Sequence, residues 1–216
     1  MLGHLVQRLQ VVSGIDDIVV ATTTNPGDNE IVSFCESSGI HFFRGSEDDV
    51  LGRVNQAAQH HGASAVVAIT GDCPIIDPKL VEQVVKSYRQ SSYDLVSNGL
   101  KRTFPIGMDS NVVSVLALEA AATEATEALD REHVLRFIYR RPERFTAMNI
   151  ESPAHLFWPE LGLTLDEPAD YELISFLIEH LYPTNPHFSC DDIVSLVRQR
   201  PDLAQINQHV VRKGDS

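Results

Sequence analysis

The sequence predicts an α/β fold: a doubly wound, mostly parallel sheet that lacks its usual first strand and carries a small α+β excursion over residues 94–150. Three observations lead there. Helix-like and strand-like periodicities alternate along the chain, which implies right-handed βαβ units. Residues 65–69, Ala-Val-Val-Ala-Ile, show no polar alternation, as expected of a strand covered on both faces. The first element is an amphipathic helix with no strand before it, whereas a doubly wound domain normally opens with a strand.

Taken in order, Leu2, Leu5, Val6, Leu9 and Val12 fall on one helical face. A short apolar strand over 18–22 ends in Thr22-Thr23-Thr24, and Asn25-Pro26-Gly27-Asp28 is turn chemistry. The next helix turns Ile31, Phe34 and Cys35 inward and stops at Gly39. A strand over 40–43 leads to Ser46-Glu47-Asp48-Asp49, a capping box ahead of Val50, Leu51, Val54, Ala57 and Ala58. Gly62 stops that helix before strand 65–69, and Asp77-Pro78 opens another with an N-cap aspartate and an N1 proline. The 94–150 excursion holds short strands at 95–97, 111–115 and 145–150 around helices at 116–128 and 131–139. A strand over 161–165 follows, then helices at 169–181, 191–199 and near Asp202.

Composition narrows the function. With 17 basic and 30 acidic side chains the net charge is −13, which argues against nucleic acid or an anionic membrane as partner. Apolar residues make up 43% of the 216, enough for a sizeable core. Cys35, Cys73 and Cys190 form no CxxC pair, so a reducing, cytoplasmic setting is expected. No segment has the makings of a signal peptide or a membrane span. None of the twelve glycines lies within three residues of another, so neither GxGxxG nor GxxxxGK[ST] is present.

Chemistry concentrates at strand ends. Thr70-Gly71-Asp72-Cys73-Pro74 puts a carboxylate at the carboxyl end of the most apolar strand, where open α/β sheets bind ligands. Leu163-Thr164-Leu165-Asp166-Glu167-Pro168 repeats the arrangement. Taken singly, Asp72 could cap local N–H groups and Asp166 could favour a helix N-terminus. Two strand-end carboxylates sharing a divalent metal, however, suit phosphoryl or nucleotidyl transfer. Arg44 and Arg53 could each face a phosphate or a base, or merely solvate a helix. Asp130-Arg131-Glu132-His133 is either an N-capped, solvated first turn or a polar-ligand platform. His60 and His61 sit at a helix C-terminus and are not expected to be ligands. No Ser/His/Asp arrangement or nucleophile elbow supports covalent catalysis.

Together, Ile18-Val19-Val20-Ala21-Thr22-Thr23-Thr24-Asn25, Phe43-Arg44-Gly45-Ser46-Glu47-Asp48-Asp49-Val50-Leu51-Gly52-Arg53, Ile69-Thr70-Gly71-Asp72-Cys73-Pro74-Ile75-Ile76-Asp77-Pro78, Arg131-Glu132-His133-Val134 and Leu165-Asp166-Glu167-Pro168-Ala169-Asp170 occur in order. They resemble the cytidylyltransferases that make CMP-activated acidic sugars, specifically the branch associated with spore-coat polysaccharide biosynthesis. The resemblance implies a single nucleotidyltransferase-like domain over 1–216 with a nucleotide-diphospho-sugar transferase-like fold. It also implies Mg²⁺ as cofactor, CTP and a sugar as substrates, pyrophosphate release, and a homodimer built through 94–150. Residue by residue, it makes Asp72 and Asp166 the catalytic, metal-binding pair. Arg131 and His133 match the segment near the sugar, as does Asp109 in Gly107-Met108-Asp109, and Thr22 and Arg53 become nucleotide contacts.

Family members begin with a strand and a glycine- and arginine-containing phosphate loop; Met1-Leu2-Gly3-His4 resembles the start of the helix after it. Ser110-Asn111 also departs from the more apolar and acidic pair of the family pattern. Two alternatives follow: an N-terminally truncated, catalytically impaired relative, or a metal-dependent glycosyltransferase of similar fold. The latter favours a closely spaced Asp-x-Asp, where this sequence has Asp72 and Pro74. Without a first strand, strands 18–22 and 65–70 lose ladder partners. Either a strand-wide gap or an atypical pair between them is expected, together with little CTP-dependent pyrophosphate release by this chain alone.

Overall fold

In the computed structural model, which describes residues 1–212, helices and strands alternate largely as the periodicity indicates. The order is α1 (Leu2–Leu9), β1 (Val19–Thr23), α2 (Asn29–Ser38), β2 (His41–Gly45), α3 (Val50–His60), β3 (Ala65–Ala68), α4 (Pro78–Arg89), β4 (Leu95–Ser97) and β5 (Asn111–Ser114). Then come α5 (Val115–Glu124), α6 (Ala128–Glu132), α7 (Arg136–Tyr139), β6 (Ala147–Asn149), α8 (Pro168–Leu181), α9 (Cys190–Gln199) and α10 (Pro201–Asn207).

Local signals account for the helix ends. Gly39 closes α2 in the left-handed conformation, at φ 66°. Asp49, rather than Ser46, caps α3 by accepting the Gly52 N–H at 2.8 Å. Asp77 caps α4 through the Lys79 N–H at 2.8 Å, and its other oxygen accepts the Cys190 N–H at 2.7 Å, joining α4 to α9.

The strands form two sheets. β1 and β2 pair in parallel, Val19 opposite His41 and Thr23 opposite Gly45. The second sheet has the order β3-β5-β4-β6, with β6 parallel to β4 and β5 antiparallel to both its neighbours. Thus the 94–150 segment supplies three strands to the sheet of β3. The reversal belongs to β5, which returns from β4 without an intervening helix, so the chain comes back antiparallel. Side chains alternate across this sheet. Leu95 and Val113 face a core with Leu51 of α3 and Leu118 of α5, while Val96 and Val112 face Leu5 and Leu9 of α1 and Val81 and Val84 of α4. A third apolar cluster joins Phe104, Met108, Leu161 and Leu163 to α8, α9 and α10.

Two expected elements come out differently. Residues 161–165 make only an isolated bridge, Ile106 to Gly162, because Gly107 at φ 93° ends the extended run of the partner segment. The expected helix 131–139 is broken into α6 and α7 at His133–Leu135. Asp130 is not an exposed cap: it is 1% exposed and ion-paired with Arg136, and its other oxygen lies 3.6 Å from Arg141.

Among the described residues no ladder joins β1 to β3, so the two strands do not close into a pair. β3 is accordingly only half-buried, although its sequence reads as covered on both faces. Two open edges follow, each with outward N–H groups that lack a strand partner. Hydrogen exchange is expected to find the outward amides of β1 and β3 exchanging much faster than those of β5, which is paired on both sides. Equal protection of all three strands would contradict the open-edge arrangement.

Arg8 anchors α1. Its side chain is 2% exposed and donates to the carbonyls of Ile76 at 2.7 Å, Pro186 at 3.1 Å and Phe188, with the guanidinium carbon 4.3 Å from the Phe188 ring centroid. Burial lowers its pKa to about 10, against the opposing pull of the Asp77 and Asp192 carboxylates.

Candidate functional site

β3 runs out into Thr70-Gly71-Asp72-Cys73. The Thr70 hydroxyl donates to Asp72 Oδ1, and the Cys73 thiol lies 3.4 Å from the same oxygen. The Asp72 carbonyl accepts the Leu165 N–H at 2.8 Å, which sets the strand-end turn beside the segment carrying Asp166. Asp166 is exposed, and its Oδ2 accepts the Thr164 hydroxyl at 2.7 Å. It does not cap α8. That role falls to Glu167 and Asp170, which form a reciprocal capping box.

Asp109 reaches the same neighbourhood. Gly107 packs so closely on the 163–164 backbone that a Cβ there would stand 2.7 Å from the Leu163 carbonyl. That approach aligns the Gly107-Met108-Asp109 turn with the Asp166 segment. Asp109 Oδ2 meets Arg102 Nη1 at 3.0 Å. Burial, and then the charges of Asp72 and Asp109 among other causes, push the Cys73 thiol far up. It therefore stays protonated and offers no thiolate. What remains around it is a set of carboxylate and hydroxyl oxygens. Hard oxygen donors fit Mg²⁺, with Asp72 and Asp166 as the residues that would hold it.

The carboxyl ends of β1 and β2 carry a second set of groups. Asp28 Oδ2 accepts the hydroxyls of Thr22 at 2.7 Å and Thr23 at 2.6 Å, and the Thr23 N–H at 2.8 Å. Those bonds, led by the Thr23 hydroxyl, lower the Asp28 pKa to about 2. A depressed folded pKa stabilises the turn above the usual carboxylate value of about 4, and that contribution is lost as pH falls toward the folded value. An NMR titration should place the Asp28 carboxyl midpoint near 2, and Thr22→Val should raise it. An unshifted midpoint in the wild-type chain would contradict this bonding.

Arg44 is committed to the turn, donating to the carbonyls of Thr23 and Asn25, each at 2.8 Å, and to Asn29 at 2.9 Å. Arg53 lies over Gly45 and reaches the Ser46 carbonyl, but its buried Nε has no hydrogen-bond partner among the described residues. Arg131 ion-pairs with Asp49 and donates to the Ala122 carbonyl at 2.5 Å. Burial opposes ionisation of Asp49, yet the Arg131 and Gly52 hydrogen bonds outweigh it and hold the carboxyl below its usual range. Arg131 thus meets the α3 N-terminus, whose first turn carries Arg53, and half-buried His133 closes α6.

The structure therefore sets the Asp72 turn and the Gly107-Met108-Asp109 turn against the 163–165 segment that leads to Asp166, and Thr22, Arg53 and Arg131 around the starts of α2 and α3. Sequence reasoning missed Thr70, Thr164 and Asp28. Hydroxyl residues two positions from Asp72 and from Asp166 were the available signal for the first two.

Comparison with known proteins places these residues in a family context. The family model described as Cytidylyltransferase matches residues 1–179. An uncharacterized protein of Methanocaldococcus jannaschii is 34% identical over 213 residues, covering 99% of this chain and 86% of that one. The spore coat polysaccharide biosynthesis protein SpsF of Bacillus subtilis is 29% identical over 192 residues, 88% of this chain and 78% of that protein. The 3-deoxy-manno-octulosonate cytidylyltransferase of Aeromonas salmonicida is 32% identical over 97 residues, 43% of this chain and 37% of that enzyme. A cytidylyltransferase structure from Leptospira borgpetersenii superposes with a TM-score of 0.88 at 26% identity, covering 99% of this chain and 87% of that one.

Proposed function

The chain belongs to the cytidylyltransferase family of transferases, and from that premise we propose that it transfers CMP from CTP to an acidic sugar, in cell-surface polysaccharide or glycan biosynthesis. The observation that carries this reading is the Leu165 N–H to Asp72 carbonyl bond, which joins the turn of Asp72 to the segment that leads into Asp166. By what their names state, the octulosonate enzyme supports an acidic sugar as acceptor and SpsF supports polysaccharide biosynthesis.

In the proposed reaction a sugar hydroxyl gives up its proton to solvent and its oxygen bonds to the α-phosphorus of CTP. The bond from that phosphorus to the oxygen bridging to the β-phosphate breaks, and pyrophosphate leaves. Bound Mg²⁺ would neutralise charge on the phosphates. Asp72 and Asp166 would hold the ion, each oriented through one oxygen by a threonine hydroxyl. Arg53 and Thr22 would meet the nucleotide. Asp109, Arg131 and His133 would orient the sugar so that its hydroxyl lies in line with the leaving group. No side chain forms a covalent intermediate.

The test is pyrophosphate release from each of the four nucleoside triphosphates in the presence of sugar acids. Release specific to CTP supports the reading; equal release from all four contradicts it. The unjoined β1 and β3 favour a second reading, in which this chain binds its ligands with little turnover. Slow, CTP-specific release is therefore expected of the 216-residue chain, and robust turnover would remove that second reading.

Assembly and location extend the proposal. Leu116 and Leu129, exposed by 78% and 44% on the 94–150 segment, support a two-fold homodimer through that face. A monomeric mass by light scattering at micromolar concentration would count against it. No helix of the described residues is long and apolar enough to cross a membrane, and all three cysteines are free and buried, which supports a cytoplasmic setting.

A further inference from the structure

Asp17 precedes β1, His41 opens β2 and His61 caps the end of α3. All three lie at the amino ends of β1 and β2, away from the carboxyl ends that carry Thr22 and the Asp28 turn. Asp17 Oδ2 stands 2.8 Å from His41 Nδ1 and 3.6 Å from His61 Nδ1, and the two imidazole rings lie 5.3 Å apart. One nitrogen or oxygen from each residue lies within 4.8 Å of the other two. We propose that Asp17, His41 and His61 form a binding site for a divalent transition-metal ion of the zinc type.

Donor chemistry and geometry both carry this. Two imidazoles and one carboxylate are a common three-ligand set for zinc, with a fourth position left to water. Ligands about 2.1 Å from a tetrahedral ion stand about 3.4 Å apart, between the two distances measured from Asp17. A single carboxylate oxygen facing two ring nitrogens is the arrangement a shared cation completes. Mg²⁺ would not take the site, because it prefers an all-oxygen shell. The site is thus distinct in chemistry as well as place from the one holding Asp72 and Asp166. His41 is 63% exposed and Asp17 45%, which leaves an entry path, while His61 is 19% exposed and provides the inner wall.

The adjacency of His60 and His61 at a helix end suggested no ligand role for either. Asp17 and His41, distant in sequence, supply what that reading lacked. A bound ion would tie the starts of both parallel strands to the end of α3, clipping together the end of the sheet opposite the nucleotide turn.

Zinc titrated into the untagged, metal-free full chain, with excess Mg²⁺ present, tests the site by calorimetry. One Zn²⁺ per chain is expected, and Co²⁺ should give the absorption of a tetrahedral site. Affinity should fall about 10–100-fold or more in Asp17→Asn, His41→Ala and His61→Ala, since even supporting residues are worth that much. His155→Ala is the control: His155 faces Asp191 at 3.7 Å with no second imidazole, and its loss should leave binding unchanged. His41 is exposed enough that its variant should fold, as circular dichroism will verify. Absence of zinc binding, or binding unaffected by His41→Ala and Asp17→Asn, or equally weakened by His155→Ala, would overturn the proposal.

Discussion

Asp72→Asn is expected to cut CTP-dependent pyrophosphate release by about 10²–10³-fold, equivalent to about 3–4 kcal/mol of transition-state stabilisation. The amide keeps the shape of the side chain and can still accept the Thr70 hydroxyl. Only the negative charge that would hold the cation is lost. The side chain is only half-buried, so thermal stability should stay within about 0.5 kcal/mol of wild type. Asp166→Asn should behave alike. The double variant should lose scarcely more than either single one, because in the proposed reaction both residues serve one ion. Additive losses would mean that the two aspartates act independently.

Arg8→Met is expected to be the most damaging change outside that site, at about 3–5 kcal/mol of stability. The methionine fills part of the volume but leaves the carbonyls of Ile76, Pro186 and Phe188 without their donor. Hydrogen bonds to a charged group contribute about 1.5–3 kcal/mol each, and buried acceptors left unpaired cost about 1–3 kcal/mol each. Some recovery through water keeps the total below the simple sum. For a chain of this size about 2–4 °C is lost per kcal/mol, so the melting temperature should fall by about 10 °C. Arg8→Lys should fall in between, since one ammonium cannot span three carbonyls. A melting temperature within a degree of wild type would show that these carbonyls find other donors.

What could be read from the sequence was local. The strands at β1, β2 and β3, the left-handed Gly39 stop and the Asp77-Pro78 helix start depend on residues a few positions apart, and they appear where the pattern puts them. The direction of β5 was not readable, because strand pairing joins residues far apart and depends on the loop between them. Arg8 lies among the apolar residues of α1, and its burial is explained only by carbonyls at positions 76, 186 and 188. Asp130 carries N-cap chemistry in sequence, but the guanidinium of Arg136 offers it a stronger partner within the fold. Asp72 and Asp166 were visible as strand-end aspartates followed by proline. The backbone bond from Leu165 to Asp72, which joins the two segments, was visible only in three dimensions.

In the proposed reaction Asp72 and Asp166 would hold one divalent cation together with the phosphates of CTP. Calorimetric titration of CTP into the chain, with Mg²⁺ or with chelator, tests it most directly when repeated on Asp72→Asn and Asp166→Asn. The account predicts CTP binding that requires Mg²⁺, exceeds that of ATP, and weakens at least about tenfold in either variant, a loss of about 1.4 kcal/mol. CTP binding that is equally tight in chelator, equally tight in both variants, or absent from the wild-type chain would contradict it.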